Sequence, residues 1–358
     1  MADPLRILSV DGGGIRGLIP ALVLARLEEE LVNHPETGAD VRLADYFHLF
    51  AGTSTGGLIA LALTAPGGVP ATELSGIYVE DGPEIFKRDA LLPAGPLAGL
   101  FGPLYGAERL AKSLAARLGE SLVSKAKRDL LVTAYDMTER QPFFFKRWRA
   151  VESEDHDYPI VDAGLATSAA PTYFPSHGLR VPGDAEPHAL VDGGVFADDP
   201  TVAAIAEALG RGSDPPAGLA PHDLFVVSLG TSRYVPRYRQ EDVSGWGKIR
   251  WVVLGGAEPP LISAMLNGSA DGTDYWAHML LNQEPGEGPP NAATIGHGPR
   301  YYRLQVEIPV EVAMDDASER VLQETLPDAA DRLIDEHDED LKAIVSELAS
   351  LGPIPPLT

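Results

Sequence analysis

The sequence predicts an α/β fold with three α/β/α layers, in which helices cover both faces of a central, mostly parallel sheet. Two segments support this fold because each reads as a strand, a glycine-rich turn and a helix, with strands at residues 5–10 and 46–51. Two further runs, at 129–135 and 223–230, have the unbroken apolar character of buried parallel strands. Strands that alternate with helices favour a parallel sheet with both faces covered.

The two strand–turn–helix segments have similar internal patterns. Residues 5–10 (LRILSV) stop at Asp11 and three glycines. After Gly17 the leucines fall on one helical face, at Leu18, Leu22, Leu24, Leu27 and Leu31. Residues 46–51 (YFHLFA) break at GTSTGG, and LIALALTA follows. A helix with such small side chains is suited to close packing against a sheet.

We expect a single domain over residues 1–358. Roughly residues 311–358 should form C-terminal surface helices, because Ala, Leu, Glu and Asp dominate there at helical spacing. Residues 211–221 and 284–299 are predicted to be exposed loops, since Gly, Pro and polar residues dominate them. Neither an internal repeat nor a break in composition divides the chain.

Two apolar stretches have open interpretations. Residues 66–106 are rich in Gly and Pro and include LLPAGPLAGLFGPLYG at 91–106, which cannot be a regular core helix. This stretch is either a loop lying on the fold or a lid or lipid-entry wall along which an acyl chain would lie. Residues 246–256 (WGKIRWVVLGG) combine tryptophans with basic residues, which suits a membrane interface but equally a core or subunit contact.

The chain is strongly acidic, with 52 Asp and Glu against 28 Lys and Arg and a formal net charge of −24. Such a field argues against nucleic-acid binding and against docking on anionic membranes through charge alone. A highly charged, soluble surface explains the same composition.

The absence of cysteine excludes disulfides, cysteine nucleophiles and cysteine-ligated zinc. The first residues, MADPLRILSV, lack the pattern of a secretory signal, and no window approaches about 18 unbroken apolar residues. We therefore expect a cytoplasmic location. We also expect neither a cofactor nor a metal, because no group of ligands has metal-binding spacing.

The clearest chemical motif is Gly52-Thr53-Ser54-Thr55-Gly56. A G-x-S-x-G pentapeptide is informative when it follows a buried strand and precedes a helix, as it does here. The sharp turn leaves no room for side chains beside the serine and raises its hydroxyl above the sheet, at the positive end of the following helix. An ordinary turn is the alternative, and this context favours a nucleophile at Ser54.

The second motif is DGGGIRG at residues 11–17. It contains a formal G-x-G-x-x-G, but the next strand does not end in the acidic residue that a dinucleotide fingerprint requires. In an acyl hydrolase, the amides of Gly12, Gly13 and Gly14 would instead form an oxyanion hole before a helix. Arg16 would either add positive charge there or orient the loop.

A serine nucleophile requires a base, and histidine is the usual one. None of the nine histidines sits in a glycine-flanked turn after a strand, where a triad histidine is expected: His34, His48, His156, His177, His188, His222, His278, His297 and His337. An aspartate does, because residues 189–194 (ALVDGG) run from an apolar stretch into Asp192 and two glycines. A plain Asp-Gly turn is the alternative interpretation.

These residues together resemble the patatin-like phospholipases. The blocks of that family occur in order: DGGGIRG at 11–17, GTSTGG at 52–57, ATSAAPTYFP at 166–175 and VDGG at 191–194, followed by SLGT at 228–231 and MDDAS at 314–318. The resemblance implies that Ser54 is the nucleophile, Asp192 the general base and Gly12 to Gly14 the oxyanion hole. Two departures, ADDP for ANNP at 197–200 and SLGTS for SLGTG, bear on substrate preference.

The function expected is hydrolysis of acyl esters of phospholipids or related lipids through an acyl-enzyme, with transient membrane contact and an oligomer left open. Three alternatives remain at this point. The same enzyme could be a cyclic-nucleotide-activated effector of antiphage defence, as some bacterial members are. The chain could also be a non-hydrolytic nucleotide-binding module, or a hydrolase with a histidine triad.

Overall fold

The computed structural model describes residues 3–38, 40–88, 102–210, 218–252, 259–283 and 295–357. Within these ranges the strands are β1 Leu5–Val10, β2 Leu49–Thr53, β3 Asp129–Asp136, β4 Gln141–Lys146, β5 His177–Leu179, β6 His188–Asp192, β7 Leu224–Leu229 and β8 Tyr301–Leu304. The helices are α1 Leu18–Asn33, α2 Thr55–Thr64, α3 Gly76–Val79, α4 Gly82–Ile85, α5 Glu108–Leu118, α6 Arg147–Glu152, α7 Ile160–Thr167, α8 Gly194–Ala197, α9 Thr201–Gly210, α10 Gln240–Ser244, α11 Lys248–Val252, α12 Pro260–Leu281, α13 Leu326–Glu336 and α14 Asp338–Leu351.

The described strands form one mixed sheet in the order β5-β6-β3-β2-β1-β7-β8, with β4 also paired to β3. Five consecutive strands of this order, from β3 to β8 at one edge, run parallel, and β4, β5 and β6 pair antiparallel. Helices lie on both sides of the sheet, so the predicted α/β/α fold with a mostly parallel sheet is confirmed.

Alternation along the strands divides the core into two layers. Leu8 and Val10 of β1 pack into the cluster that contains α1, α2 and α7, whereas Ile7 packs into the cluster that contains α9 and the end of α12. Successive side chains of a strand point to opposite faces, and here both faces are apolar. This explains why the strand reads as a continuous apolar run.

The register at β3 brings two distant strand ends together. Thr53 of β2 lies opposite Thr133, and Asp192 of β6 lies opposite the next residue, Ala134. Because β4 occupies the other edge of β3 over this region, β2 and β6 share one edge. The strands β2 and β6 approach this point from opposite directions, so their carboxyl ends meet there.

Helices α13 and α14 pack against α1. One side of the pair is in the core, since Leu326, Leu333, Ile344 and Leu348 are fully buried. Among the described residues, no helix combines the length and the apolar character that a membrane span requires.

The two apolar stretches with open interpretations are only partly described. Residues 91–101 and 253–256 lie outside the described residues. Tyr105, at the end of the first stretch, is buried against the rings of Phe86 and Phe174. In the second stretch, Trp246 makes edge-to-face contacts with Trp251 and Tyr238.

Candidate active site

Ser54 occupies a strained turn between β2 and α2. Its φ angle is 53° and its ψ angle is −121°, a conformation that non-glycine residues rarely adopt. The flanking glycines are sterically required, since a Cβ on Gly52 would lie 2.2 Å from the Gly56 carbonyl oxygen, and one on Gly56 would lie 2.1 Å from that of Val10. Such strain is concentrated at functional sites, which favours a role for this serine.

Asp192 ends β6 and is 5% exposed. Its Oδ1 accepts a hydrogen bond of 2.8 Å from the Gly194 amide. Burial raises the pKa of Asp192 to about 6, although the Ser54 hydroxyl and the Gly194 amide both lower it as hydrogen-bonding neighbours. The carboxylate and the Ser54 hydroxyl therefore lie side by side, and the carboxylate holds a proton more tightly than an exposed aspartate.

One segment, residues 166–175, fixes both of these residues. The Ser54 amide donates a 2.8 Å hydrogen bond to Thr167 Oγ1, and the Asp192 amide donates a 3.0 Å bond to the Ala169 carbonyl. Neither contact was evident from the sequence, in which residues 166–175 stand out only as one of the blocks of the family. The segment sets the separation of the two functional groups.

In the glycine loop, the amide of Gly12 differs from those of Gly13 and Gly14. The Gly12 amide donates a 3.0 Å hydrogen bond to the Asp198 carbonyl, so it cannot serve as an oxyanion donor as predicted. The amides of Gly13 and Gly14 donate no hydrogen bond within the described residues. Arg16 Nε donates to the Gly13 carbonyl at 3.3 Å, which fits the loop-orienting alternative.

A buried ion pair anchors the start of this loop. Arg303 on β8 binds both carboxylate oxygens of Asp11, at 2.7 and 2.5 Å, and also lies 3.4 Å from Asp199. All three side chains are buried. Bidentate pairs of this kind fix geometry, so the loop is attached to the parallel sheet at two strands. No local sequence pattern indicates this pairing, because the partners lie 292 positions apart.

A second carboxylate, which the sequence analysis did not assign, lies beside Ser54 and Asp192. A Cβ on Gly12 would lie 2.3 Å from Asp198 Oδ1 and 3.5 Å from Ser54 Cβ. A Cβ on Gly194 would lie 3.3 Å from both Asp192 Oδ1 and Asp198 Oδ1. Asp198 belongs to ADDP, so this departure from the family pattern lies at the site.

Asp198 also lines a small polar crevice of about 20 Å³ beside the glycine loop, together with Arg16, Ser232 and residues of α12. Ser232, the other departure, has a φ of 74° and a buried hydroxyl that has no hydrogen-bond partner among the described residues. A larger cavity of about 370 Å³ lies between α1 and α14 and contains none of these residues.

The histidines make contacts elsewhere. His188 is buried between Asp136 and Asp184, at 2.6 and 2.9 Å, and His48 Nδ1 accepts a 3.0 Å hydrogen bond from the Arg6 amide. His177 pairs with Asp162, and His222 with Asp223, while His278 lies in α12. These contacts involve neither Ser54 nor Asp192.

Within the described residues, His297, His337 and Asp340 are close enough to hold a metal ion. Asp340 Oδ2 contacts Nδ1 of His297 at 2.6 Å and Nδ1 of His337 at 3.0 Å. The sequence analysis found no such group because His297 and Asp340 lie 43 positions apart. The hydrogen bonds that both histidines make to the Asp340 carboxylate account for this cluster.

Comparison with known proteins places this chain in a family. The family model described as patatin-like phospholipase matches residues 8–205. Patatin-like protein 2 of Arabidopsis thaliana is 36% identical over 288 residues, covering 75% of this chain and 70% of that protein. Patatin-like protein 2 of Oryza sativa subsp. indica is 35% identical, covering 77% and 73%.

Two further similarities differ in strength. Patatin-1-Kuras 2 of Solanum tuberosum is 32% identical over 271 residues, covering 71% of this chain and 70% of that protein. The crystal structure of VipD from Legionella pneumophila aligns with a TM-score of 0.37 and 11% identity, over 94% of this chain and 67% of that one, which is too weak a likeness to bear on the fold. The family model and the plant relatives together establish that this chain belongs to the patatin-like phospholipase family, a family of lipid acyl hydrolases.

Proposed function

We propose that this protein hydrolyses acyl esters of phospholipids or related lipids, with Ser54 as nucleophile and Asp192 as general base. The observation that carries the proposal is the buried carboxylate of Asp192 beside the Ser54 hydroxyl, with a pKa of about 6. A base is most effective when its pKa lies near the working pH, and an exposed aspartate falls well short of that. Within the described part of the chain, no cation contributes to the pKa of Asp192, and the Ser54 hydroxyl is its side-chain hydrogen-bonding neighbour.

In the first half-reaction, Asp192 takes the Ser54 proton while Ser54 Oγ forms a bond to the ester carbonyl carbon. The carbonyl oxygen becomes an oxyanion in a tetrahedral intermediate. When the intermediate collapses, the bond to the alcohol oxygen breaks and protonated Asp192 gives its proton to that oxygen. The products are an acyl-enzyme on Ser54 and a free alcohol or lysolipid.

In the second half-reaction, water replaces the alcohol. Asp192 accepts a proton from water while the water oxygen attacks the acyl carbon. Collapse of this second intermediate breaks the bond to Ser54 Oγ, and Asp192 returns the proton to that oxygen. The free fatty acid leaves, and both residues regain their starting protonation states.

The amides of Gly13 and Gly14 are the proposed oxyanion donors. Both glycines have positive φ angles, and neither amide has another described acceptor. Loss of one such donor typically costs about 100- to 1000-fold in rate. The Arg16 side chain, which bonds the Gly13 carbonyl, is proposed to hold the loop in this conformation.

The test is hydrolysis of a panel of phospholipids and p-nitrophenyl esters by the wild type, Ser54→Ala and Asp192→Asn. The proposal expects activity in the wild type and near-complete loss in both variants, with unchanged folding. Asp223→Asn, which neutralises an exposed carboxylate, is the matched control and should be fully active. Full activity in Asp192→Asn would show that Asp192 is not the general base.

The panel also separates the alternatives. Activity that appears only after addition of a cyclic nucleotide would identify a ligand-activated enzyme. Tight nucleotide binding by a wild type that hydrolyses no ester would identify a binding module instead. Loss of activity in a single His→Ala variant, with Asp192→Asn active, would identify a histidine triad.

A further inference from the structure

Helix α12 presents apolar residues on two opposite faces. Its inner face is buried, through Thr273, Ala277 and Leu281. Leu266, on the same side, would lie 3.7 Å from a Cβ on Gly194 and lines the crevice beside Asp198. One side of this helix is therefore a wall of the candidate active site.

The outer face of α12 is apolar and open to solvent. At 100° per residue, its exposed apolar side chains fall within one sector that runs the length of the helix. We call this set the α12 strip: Leu261, Ile262, Met265, Tyr275, Trp276, Met279 and Leu280. The two acidic residues of the helix lie off the strip, since Asp271 contacts Arg233 and Asp274 accepts a hydrogen bond from Tyr301.

The neighbouring helix α11 extends this surface. Ile249 is 66% exposed and Val252 is 52% exposed, and α11 packs beside α12. Arg250 lies over the ring of Trp246, 5.1 Å from its centroid. Two exposed basic residues, Lys248 and Arg250, lie on α11 itself, whereas the nearby Arg239 is paired with Glu241 and Asp242.

We infer that the α12 strip and the exposed residues of α11 form a docking surface for a lipid bilayer. The inference rests on the proposed function, because the strip and the candidate site are two sides of one helix. The exposed apolar side chains of α12 form two groups on this face, at 261–265 and 275–280, and several such side chains on one helix are unusual on a protein that remains alone in water. Tryptophan, tyrosine and basic side chains around an apolar face are suited to the boundary between lipid tails and head groups.

The net charge of the protein bears on which kind of bilayer it can bind. A net charge of −24 opposes approach to an anionic membrane, so docking must depend on insertion of apolar side chains. The local basic residues can contact the phosphates of zwitterionic head groups. The surface is therefore matched to phosphatidylcholine or phosphatidylethanolamine bilayers rather than to strongly anionic ones.

The test measures binding of the full-length protein to phosphatidylcholine vesicles by sedimentation, with the catalytically inert Ser54→Ala background to prevent hydrolysis. Ile249→Glu and Trp276→Glu place a charge on exposed positions of the surface, so the fold should be kept. Each is expected to weaken vesicle binding by at least about tenfold, since burial of one apolar side chain contributes that much or more. Val310→Glu, at another exposed apolar position, is the matched control and should bind normally.

Two further readouts keep the outcomes distinct. In the wild-type background, Ile249→Glu and Trp276→Glu should hydrolyse a soluble p-nitrophenyl ester normally but vesicle phospholipid poorly. A wild type that hydrolyses no ester at all would overturn the proposed function, whereas unchanged vesicle binding in both variants would overturn the docking surface. A dimer in light scattering that Trp276→Glu converts to a monomer, without vesicle binding in either form, would assign the strip to a second copy and overturn the inference.

Discussion

Asp192, at the end of β6, and Asp11, directly after β1, are both buried aspartates, yet their surroundings differ. Asp11 is bound by both guanidinium nitrogens of Arg303. Among the described residues, the hydrogen-bonding neighbours of the Asp192 carboxylate are the Gly194 amide and the Ser54 hydroxyl. Burial raises the pKa of both carboxylates, but the Arg303 cation opposes that rise at Asp11, whereas no cation among the described residues does so at Asp192. The partner decides the role, and the residue type alone does not.

The largest effect expected from this comparison is on catalysis. Asp192→Asn should lower kcat/KM for a p-nitrophenyl ester by about 100- to 10,000-fold, because general base catalysis typically contributes that much. Initial rates at saturating and limiting substrate would measure it, with circular dichroism to check the fold. An activity within threefold of the wild type would show that Ser54 is activated by another group.

The second-largest effect is expected on the free energy of unfolding, when Arg303 no longer pairs with Asp11 and Asp199. Arg303→Met should lower the free energy of unfolding by about 3–5 kcal/mol, because it leaves Asp11 and Asp199 buried without their cation. Urea denaturation followed by fluorescence would measure the change. Arg239→Met, which removes an exposed ion pair, is the control and should cost at most about 1 kcal/mol. Equal effects of the two variants would contradict the anchor role.

The next prediction concerns how the titration of Asp192 makes the stability of the fold depend on pH. Because burial raises the pKa of Asp192 to about 6 in the folded state, its protonated form is favoured by folding. The stability contributed by that proton is complete below the unfolded pKa, near 4, and is lost as the pH rises through about 6. Asp192→Asn should therefore be more stable than the wild type at pH 8, by up to about 3 kcal/mol, and equally stable at pH 3.5.

The same titration predicts the rate profile. Catalysis needs the carboxylate form of Asp192, so kcat/KM should fall about tenfold per pH unit below pH 6. A profile that stays flat down to pH 4.5, measured with an enzyme that remains folded there, would contradict Asp192 as the base.

The smallest effect is expected at Asp198. Asp198→Asn removes the second carboxylate from the site and restores the residue typical of the family. Like charges oppose each other's ionisation. The fall of kcat/KM at acid pH should therefore occur at a lower pH in Asp198→Asn than in the wild type, by less than about one unit. A comparison of the two profiles in one buffer series would detect it, and a shift to higher pH would contradict the reading of Asp198 as a repelling neighbour.

Much of the fold could be predicted from the sequence. Strand β1 matches the predicted limits because its apolar run ends sharply at Asp11. The second strand was placed at 46–51, but β2 is Leu49–Thr53 because a short 3-10 turn over Leu43–Asp45 precedes it. The short strands β5 and β8 were missed, since three or four residues carry too little periodicity to be recognised.

The candidate site was predicted less completely. Ser54 and Asp192 lie in glycine turns that the sequence makes visible, and the register at β3 brings them together. The contacts of Thr167, Ala169 and Asp198 depend on how distant segments pack, and no local pattern encodes them. The loss of Gly12 as a donor has the same origin, because its acceptor is a backbone carbonyl 186 positions away in sequence that folding alone brings near.

The most direct test is the rate at which a fluorophosphonate labels Ser54, followed by intact mass and peptide mapping. This reaction needs only an activated serine, so it is independent of lipid docking and of substrate choice. We expect one adduct on Ser54 in the wild type and labelling at least about 100-fold slower in Asp192→Asn. Labelling of Ser54 at the same rate in both proteins, or no labelling of Ser54 in the wild type, would contradict the activation of this hydroxyl by Asp192.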